Sequence, residues 1–322
     1  MLLTLAHSPD PDDAFMWWPL TGKVLPDGAR IQSEDALPRL DTGPIQFRAI
    51  PADIEALNRR AAEIGDYDIT ALSFRAYCDV QDRYAITACG ASFGDGFGPK
   101  VIAPPGVCAR LDGNARDVLS DPALTIAVPG RRTTAFLLLA ILIGPSAFAQ
   151  RPERFIEMPF DRVIPAVASG EVGAGIVIHE GQILYEGAGL GLICDLGAWW
   201  KDETGLPVPL GCNAIRRDLD ERFGDGTTSK VVNLLRESIA YALARREESV
   251  RYTLPFALAN AAKKGADVAR PPTMERIDRY ISMYVNALTE DMGERGHEAV
   301  RTLLTRGHGL GLCPHPGLLD IR

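Results

Sequence analysis

The sequence predicts an α/β protein with two lobes and a cleft between them. Apolar runs of strand length alternate with helical segments, which is typical of α/β folds. Two stretches rich in Pro and Gly, near residues 98–101 and 206–211, are suited to carry the chain between lobes. The chain then closes with helices. We therefore expect residues 1–99 and 209–322 to form one lobe and residues 100–208 to form a second lobe inserted into it.

Composition and charge exclude several classes of protein. The 322 residues are 46% hydrophobic and 24% charged, which is ordinary for a globular protein. A net charge of -8 argues against binding to nucleic acid or to an anionic membrane. The apolar N-terminus lacks the basic region of a signal peptide, and the apolar run at 135–144 is too short to cross a bilayer. We expect a cytoplasmic protein, monomer or homodimer, that binds a small molecule.

The cysteines and histidines give no pattern of a metal site. Six cysteines lie far apart without a CxxC pair, which argues against a zinc ribbon, an Fe–S site or a disulfide scaffold. His308, Cys313 and His315 are close in sequence, but the Gly and Pro between them indicate a loose tail. We expect reduced thiols and no metal.

Three carboxylates mark the start of the first predicted helix. Residues 2–6 predict a buried strand and residues 14–20 a helix. Asp10 is placed to cap this helix, and Asp12 and Asp13 complement its positive end. A well-capped helix thus accounts for all three carboxylates without a metal.

Polar side chains stand at the ends of several predicted strands. His7 and Ser8 follow the first strand, Ser73 ends a later one, and His179 follows the apolar run at 174–178. In open α/β sheets, ligands gather at the carboxyl ends of strands, so we expect these groups to line the cleft. Capping of the following helix explains Ser73 equally well, and a lone histidine at a strand end is more often structural.

The remaining pattern predicts further elements along the chain. We expect strands at residues 29–33, 45–49, 67–74, 85–91, 101–104, 124–128, 155–158 and 191–195. We expect helices at residues 51–58, 136–143, 161–169, 229–246, 274–288 and 298–305. Residues 92–100 predict a glycine-rich turn, and residues 260–269 a polar linker.

A glycine turn at residues 129–132 leads into a helix through Thr133 and Thr134. Such a helix start offers backbone N–H groups to an anion. The spacing is not that of a P-loop, since no Lys follows a second Gly, so we expect a carboxylate in preference to a nucleotide phosphate. An ordinary Thr N-cap explains the two hydroxyls as well, and the sequence leaves both interpretations open.

Six segments in one order carry a family resemblance. They are residues 7–16 (HSPDPDDAFM), 68–77, 94–99, 129–139, 170–185 and 195–211 (DLGAWWKDETGLPVPLG). In this order they resemble the 1,4-dihydroxy-6-naphthoate synthases of the futalosine route to menaquinone. The resemblance spans roughly residues 2–215 and implies the fold of type II periplasmic binding proteins.

The resemblance also implies an activity and a set of site residues. His179 would be the catalytic acid/base, and the substrate carboxylate would bind at Thr133, Thr134 and Ala135. Ser73 would make a polar contact, and Ser8 is counted with the substrate-binding residues because it lines the same predicted cleft. The implied reaction converts cyclic dehypoxanthine futalosine to 1,4-dihydroxy-6-naphthoate, a carbon–carbon lyase reaction without a cofactor.

Two departures from the family pattern bear on the substrate. Gly173 stands where an acidic residue is expected, and Gln182 begins a segment that is usually more basic and aromatic. The alternatives are a solute-binding or sensor protein on the same fold and the related chorismate dehydratase. The absence of an export signal argues against the first, and the HEG segment at 179–181 argues against the second.

Overall fold

The computed structural model of the chain describes residues 1–179, 181–263 and 272–322. Its strands are β1 (Leu2–His7), β2 (Gln46–Pro51), β3 (Ile69–Ser73), β4 (Tyr84–Ile86), β5 (Ser92–Gly94), β6 (Lys100–Ala103), β7 (Ile126–Val128), β8 (Phe155–Glu157), β9 (Ala174–Val177), β10 (Gly191–Asp195) and β11 (Val208–Arg216). Its α-helices are α1 (Pro11–Thr21), α2 (Ile54–Glu63), α3 (Phe74–Tyr77), α4 (Pro105–Cys108), α5 (Ala115–Ser120), α6 (Thr134–Ile143), α7 (Pro145–Gln150), α8 (Val163–Ala168), α9 (Gly181–Leu184), α10 (Leu196–Thr204), α11 (Leu219–Phe223), α12 (Thr227–Ala244), α13 (Arg246–Lys263), α14 (Met274–Tyr284), α15 (Ala287–Glu290) and α16 (Gly293–Gly309).

The first sheet has the strand order β2–β1–β3–β11–β4, and β5 also pairs with β11. β1 runs parallel to β2 and β3, whereas β11 is antiparallel to β3, β4 and β5. Leu5, Ile69 and Ile215 are neighbours in register and belong to one buried core, which Trp17 of α1 and Leu235 of α12 complete. Because β1 and β3 are parallel, their carboxyl ends lie at the same edge of the sheet.

The second sheet has the strand order β10–β6–β9–β7–β8. β7 is parallel to β8 and β9, and β6 is antiparallel to β9 and β10. Helix α6 is apolar on all sides and every one of its residues is buried, because it packs against α5, α10 and α16 as well as β11. The predicted α/β architecture with two sheets is confirmed, and the boundaries of the lobes at residues 100 and 208 stay a prediction.

The two crossings between the sheets meet backbone to backbone. A Cβ atom on Gly197, at the start of α10, would lie 2.1 Å from the carbonyl carbon of Phe97. Gly98 faces the same contact, since its Cβ would lie 2.9 Å from Gly197 Cα. Only glycine allows this approach, which explains the glycines at positions 98 and 197.

Several predicted elements are wrong in detail. The expected strand at 29–33 is reduced to an isolated bridge between Val24 and Arg30. The expected turn at 92–100 contains β5, and the expected crossover at 206–211 includes the first residues of β11. Part of the expected linker at 260–269 continues helix α13, and its remainder lies outside the described residues. Among the described ranges, no helix has the length and apolar character of a membrane span.

Candidate functional site

One cavity lies between the two sheets and is lined by elements of both. The structure brings all six predicted site residues to it: Ser8, Ser73, Thr133, Thr134, Ala135 and His179. Ser8 follows β1, Ser73 ends β3, and His179 follows β9, so three of them stand at carboxyl ends of strands. The other three lie at the start of α6. The position of each is therefore established, while their roles stay predictions.

His179 reaches the cavity through a left-handed backbone turn. Its φ is 54°, and it is the one non-glycine residue with positive φ in the described part of the chain. Gly181, two residues further along the chain, begins helix α9. Histidine adopts this conformation more readily than most residues, at a cost of order 1 kcal/mol or more. The imidazole packs edge-on against Phe160, with ring centroids 4.9 Å apart.

The Asp10 side chain does not cap α1, contrary to the prediction. Asp10 occupies the N-cap position, but no backbone N–H of the helix donates to its carboxylate. Its Oδ2 lies 2.5 Å from His179 Nδ1 and accepts a hydrogen bond from the Ser8 hydroxyl, while its Oδ1 accepts from Asn260 Nδ2 at 3.3 Å. The carboxylate is turned away from the helix because these side-chain donors surround it.

Asp12 and Asp13 also face the cavity, so a well-capped helix does not account for the three carboxylates. Burial raises the pKa of Asp13 to about 7, although the Ser8 backbone N–H donates to its Oδ2 at 2.7 Å. Burial also raises the pKa of the Asp12 carboxyl well above its usual range, and the charges of Asp13 and Asp10 raise it further. The cavity wall thus carries carboxyl groups that hold protons near neutral pH.

His7 is part of the strand and not of the cavity wall. Its ring is buried, and Nδ1 donates to the Ser8 carbonyl at 2.7 Å. Burial lowers the pKa of His7 to about 4, so the ring is neutral at physiological pH. The prediction that His7 lines the cleft is therefore wrong. Its imidazole is buried at the end of β1, and its Nδ1 is used by the Ser8 carbonyl.

The Ser73 hydroxyl lines the cavity and does not cap the next helix. The Asn58 side chain of α2 makes two hydrogen bonds to Ser73. Its Nδ2 donates to Ser73 Oγ at 3.1 Å, and its Oδ1 accepts from the Ser73 backbone N–H at 2.9 Å. The alternative of a helix cap, which the sequence left open, is excluded by this geometry. A hydroxyl fixed in this way is positioned to meet a polar group of a ligand.

At the start of α6, the hydroxyls of Thr133 and Thr134 form hydrogen bonds with other groups of the protein. Thr133 Oγ1 accepts from Phe136 N at 3.2 Å and donates to the Gly130 carbonyl at 2.7 Å, so it is the N-cap. Thr134 Oγ1 donates to the Leu210 carbonyl of β11 at 2.7 Å. The N–H groups of Thr134 and Ala135 belong to the first turn, where no intrahelical acceptor exists. These two amides, together with the helix dipole, can donate to an anion, and the carboxylate site itself stays a prediction.

Two residues of the cavity wall escape prediction from sequence. Tyr284 of α14 donates a hydrogen bond from its hydroxyl to Gln182 Oε1 at 2.8 Å, and both side chains are buried. Tyr284 falls on an apolar helix face in the sequence, which gives no signal of a site, and Gln182 is visible only as a departure from the family pattern. Phe97 and Trp199, aromatic residues of two of the segments that carry the family resemblance, are not part of the cavity wall in the described chain.

Comparison with known proteins gives relatives over the whole length of the chain. A family model described as menaquinone biosynthesis matches residues 3–309. The chain is 36% identical over 315 residues to the 1,4-dihydroxy-6-naphtoate synthase of Thermus thermophilus, covering 98% of this chain and 97% of the relative. It is 33% identical to the enzyme of that name from Streptomyces coelicolor, covering 98% and 96%. The resemblance to this family is confirmed and extends into the C-terminal helices.

Solved structures give the fold. A protein of Archaeoglobus fulgidus has a TM-score of 0.73 and 35% sequence identity, with 97% of this chain and 98% of the other covered. The alkanesulfonate-binding protein of Xanthomonas axonopodis has a TM-score of 0.59 at 13% identity, with 100% and 98% covered. The second likeness concerns the fold alone. The predicted periplasmic-binding-protein fold is confirmed.

Proposed function

This chain belongs to the menaquinone biosynthesis family, and from that premise we propose that it converts cyclic dehypoxanthine futalosine to 1,4-dihydroxy-6-naphthoate. One observation carries the proposal: an imidazole and carboxyl groups of raised pKa face the same cavity as a helix N-terminus. Groups that exchange protons near pH 7 therefore stand beside a site for a carboxylate.

The start of α6 holds the substrate carboxylate in this proposal. The N–H groups of Thr134 and Ala135 donate to its oxygens, and the positive end of the helix dipole favours its charge. Ser73 Oγ contacts a polar group of the ring system, and Tyr280, which also lines the cavity, offers an aromatic ring for packing. His179 lines the same cavity, so the proposal places the reacting carbons of the bound substrate beside its imidazole.

The chemistry needs one base and one acid. His179 removes a proton from a ring carbon, and the electron pair enters the ring while the bond to the sugar-derived fragment breaks. Asp13, whose pKa is raised to about 7 by burial, delivers a proton to the departing fragment. The two proton transfers and the bond cleavage balance, so the scheme requires no oxidant. The cleavage of a carbon–carbon bond without a cofactor stays a prediction, and so does the cytoplasmic location.

Direct turnover tests the proposal. The purified protein is incubated with cyclic dehypoxanthine futalosine, and the naphthoate is detected by mass spectrometry. We expect product without any added cofactor. Chorismate is offered in a parallel reaction, and its dehydration would favour the alternative dehydratase. If neither substrate is converted while the protein still binds one of them, a solute-binding or sensor role replaces the proposal.

Substitution of His179 tests its role within the reaction. We expect His179→Asn to lower kcat by roughly a hundredfold or more, since general acid–base groups contribute about that factor. Asn also tolerates the left-handed backbone at this position, so the fold and substrate binding are retained. His297→Asn, a partly exposed residue of α16, is the matched control. Turnover close to that of the unaltered protein in His179→Asn would remove His179 from the mechanism.

A further inference from the structure

The buried contact between Asp10 and His179 joins the two sides of the cavity. Asp10 lies between β1 and α1, on the side of the first sheet, while His179 follows β9 of the second sheet. Asp10 Oδ2 and His179 Nδ1 are 2.5 Å apart, and the Asp10 side chain is 2% exposed. Because only a hydrogen-bonded pair tolerates such burial, Nδ1 carries a proton that it donates to the carboxylate.

Other donors hold the Asp10 carboxylate in place. The Ser8 hydroxyl donates to Oδ2, and Asn260 Nδ2 donates to Oδ1 at 3.3 Å and to the Pro9 carbonyl at 3.0 Å. Hydrogen bonds to the charged form of a carboxyl favour that form. Asp10 is therefore the member of the aspartate group with the most side-chain donors to stabilise its anion, whereas burial raises the pKa of Asp12 and Asp13.

Four other titratable groups surround this contact. Asp12 and Asp13 lie on α1, Asp53 lies at the start of α2, and His7 ends β1. Burial raises the pKa of Asp12, Asp13 and Asp53, which favours the protonated form of each carboxyl. Burial lowers the pKa of His7, which keeps it neutral. The Asp10 carboxylate is thus the charge in hydrogen-bond contact with His179.

We propose that Asp10 is the positioning residue for His179: it fixes the imidazole with the proton on Nδ1, raises its basicity, and directs Nε2 to the substrate. The kinetic part of this inference rests on the proposed function, but the contact itself does not. A carboxylate on one imidazole nitrogen determines the tautomer and stabilises the imidazolium that forms when the other nitrogen takes a proton. Since the partners belong to different sheets, the pair is complete only when the cavity is closed.

Nuclear magnetic resonance of the ligand-free protein tests the contact. The five histidines are labelled with 15N, and His179 is assigned by its loss in His179→Asn. We expect neutral His179 to carry its proton on Nδ1. We expect its pKa to fall by about one unit or more in Asp10→Asn, because an opposite charge at this distance is removed. A neutral form protonated on Nε2 in the unaltered protein would overturn the proposal without any variant.

Kinetics of the same variants test the role in turnover. In Asp10→Asn we expect kcat to fall by about 10- to 100-fold with KM changed little, and the acid limb of the kcat profile to move to lower pH. Asp202→Asn, an exposed carboxylate of α10, is the control and should behave as the unaltered protein. An unchanged pH profile and an unchanged His179 pKa in folded Asp10→Asn would contradict a positioning role. If the unaltered protein turns over no substrate but the resonance results hold, the proposed function fails and the Asp10–His179 pair stands.

Discussion

At the scale of single residues, buried carboxyl groups connect the site to the stability of the protein. Asp13 is 8% exposed, and burial raises its pKa from the ordinary value of 3.8 to about 7. A carboxyl whose pKa is raised by folding favours the folded state while it is protonated. This stabilisation is complete below the pKa of the unfolded chain and is lost as the pH rises through the folded pKa.

Asp13→Asn removes this dependence on pH. Between about pH 4 and pH 7, we expect the free energy of unfolding of Asp13→Asn to rise relative to that of the unaltered protein by up to about 1.4 kcal/mol per pH unit. His7, whose pKa is lowered to about 4, contributes a pH dependence of opposite sign, but both proteins share it and it cancels. Urea unfolding at a series of pH values measures the difference. A difference that stays constant with pH would show that Asp13 is ionised in the folded protein.

At the scale of secondary structure, the start of α6 joins stability to binding. Thr133 caps this helix by accepting from Phe136 N, and its hydroxyl also closes the turn on Gly130. The rest of the helix is apolar and buried, and Thr133 supplies the side-chain hydrogen bond at its N-terminus. The geometry of the two free amides in the first turn therefore depends on this one side chain.

Thr133→Ala is expected to lower the free energy of unfolding by about 1–2 kcal/mol, the usual range for loss of a cap. It is also expected to raise KM, because the amides of Thr134 and Ala135 lose their fixed orientation. The control is Thr273→Ala, which removes the cap of α14 at an exposed position. Chemical denaturation and steady-state kinetics are compared for both variants. An unchanged KM in folded Thr133→Ala would show that the carboxylate site does not lie at the start of α6.

The elements around the cavity could be predicted where their residues form a local pattern in the sequence. The apolar run at 174–178 predicts β9, and the turn at 129–132 predicts the start of α6, because each depends on neighbours in sequence. Helix α13 was not predicted, since Pro255 lies within it and its apolar residues do not fall on one face. Likewise, no local pattern shows that Asp10 contacts Asn260, which lies 250 residues away.

At the scale of the whole molecule, contacts across the cavity hold the two sheets together. Arg132 and Asp79 form an ion pair of 3.4 Å, and Arg59 pairs with Glu157, but these side chains are partly exposed. Such pairs contribute at most about 1 kcal/mol each. The hydrogen bond from Tyr284 to Gln182 is buried, so its loss leaves an acceptor unsatisfied in the closed arrangement.

Tyr284→Phe is therefore expected to favour the open arrangement of the sheets. An unsatisfied buried acceptor costs about 1–3 kcal/mol, and separation of the sheets relieves that cost by hydrating Gln182. We expect a larger radius of gyration in small-angle X-ray scattering of the ligand-free protein. Tyr84→Phe is the matched control, because Tyr84 donates to the Tyr67 carbonyl within one side of the cavity at 2.8 Å. Equal radii for both variants would show that the Tyr284 contact does not hold the cavity closed.

Strand β11 determines the order in which the two sheets can be completed during synthesis. It lies between β3 and β4, yet it begins at Val208, after every strand of the second sheet has been made. The second sheet takes its strands from the continuous stretch 100–195 and can close as soon as that stretch has left the ribosome. The first sheet, although it contains the N-terminal strand, must keep a gap at its centre until residue 216 emerges. The strands within residues 2–94 thus wait longest for their sheet to be completed while the protein is being made.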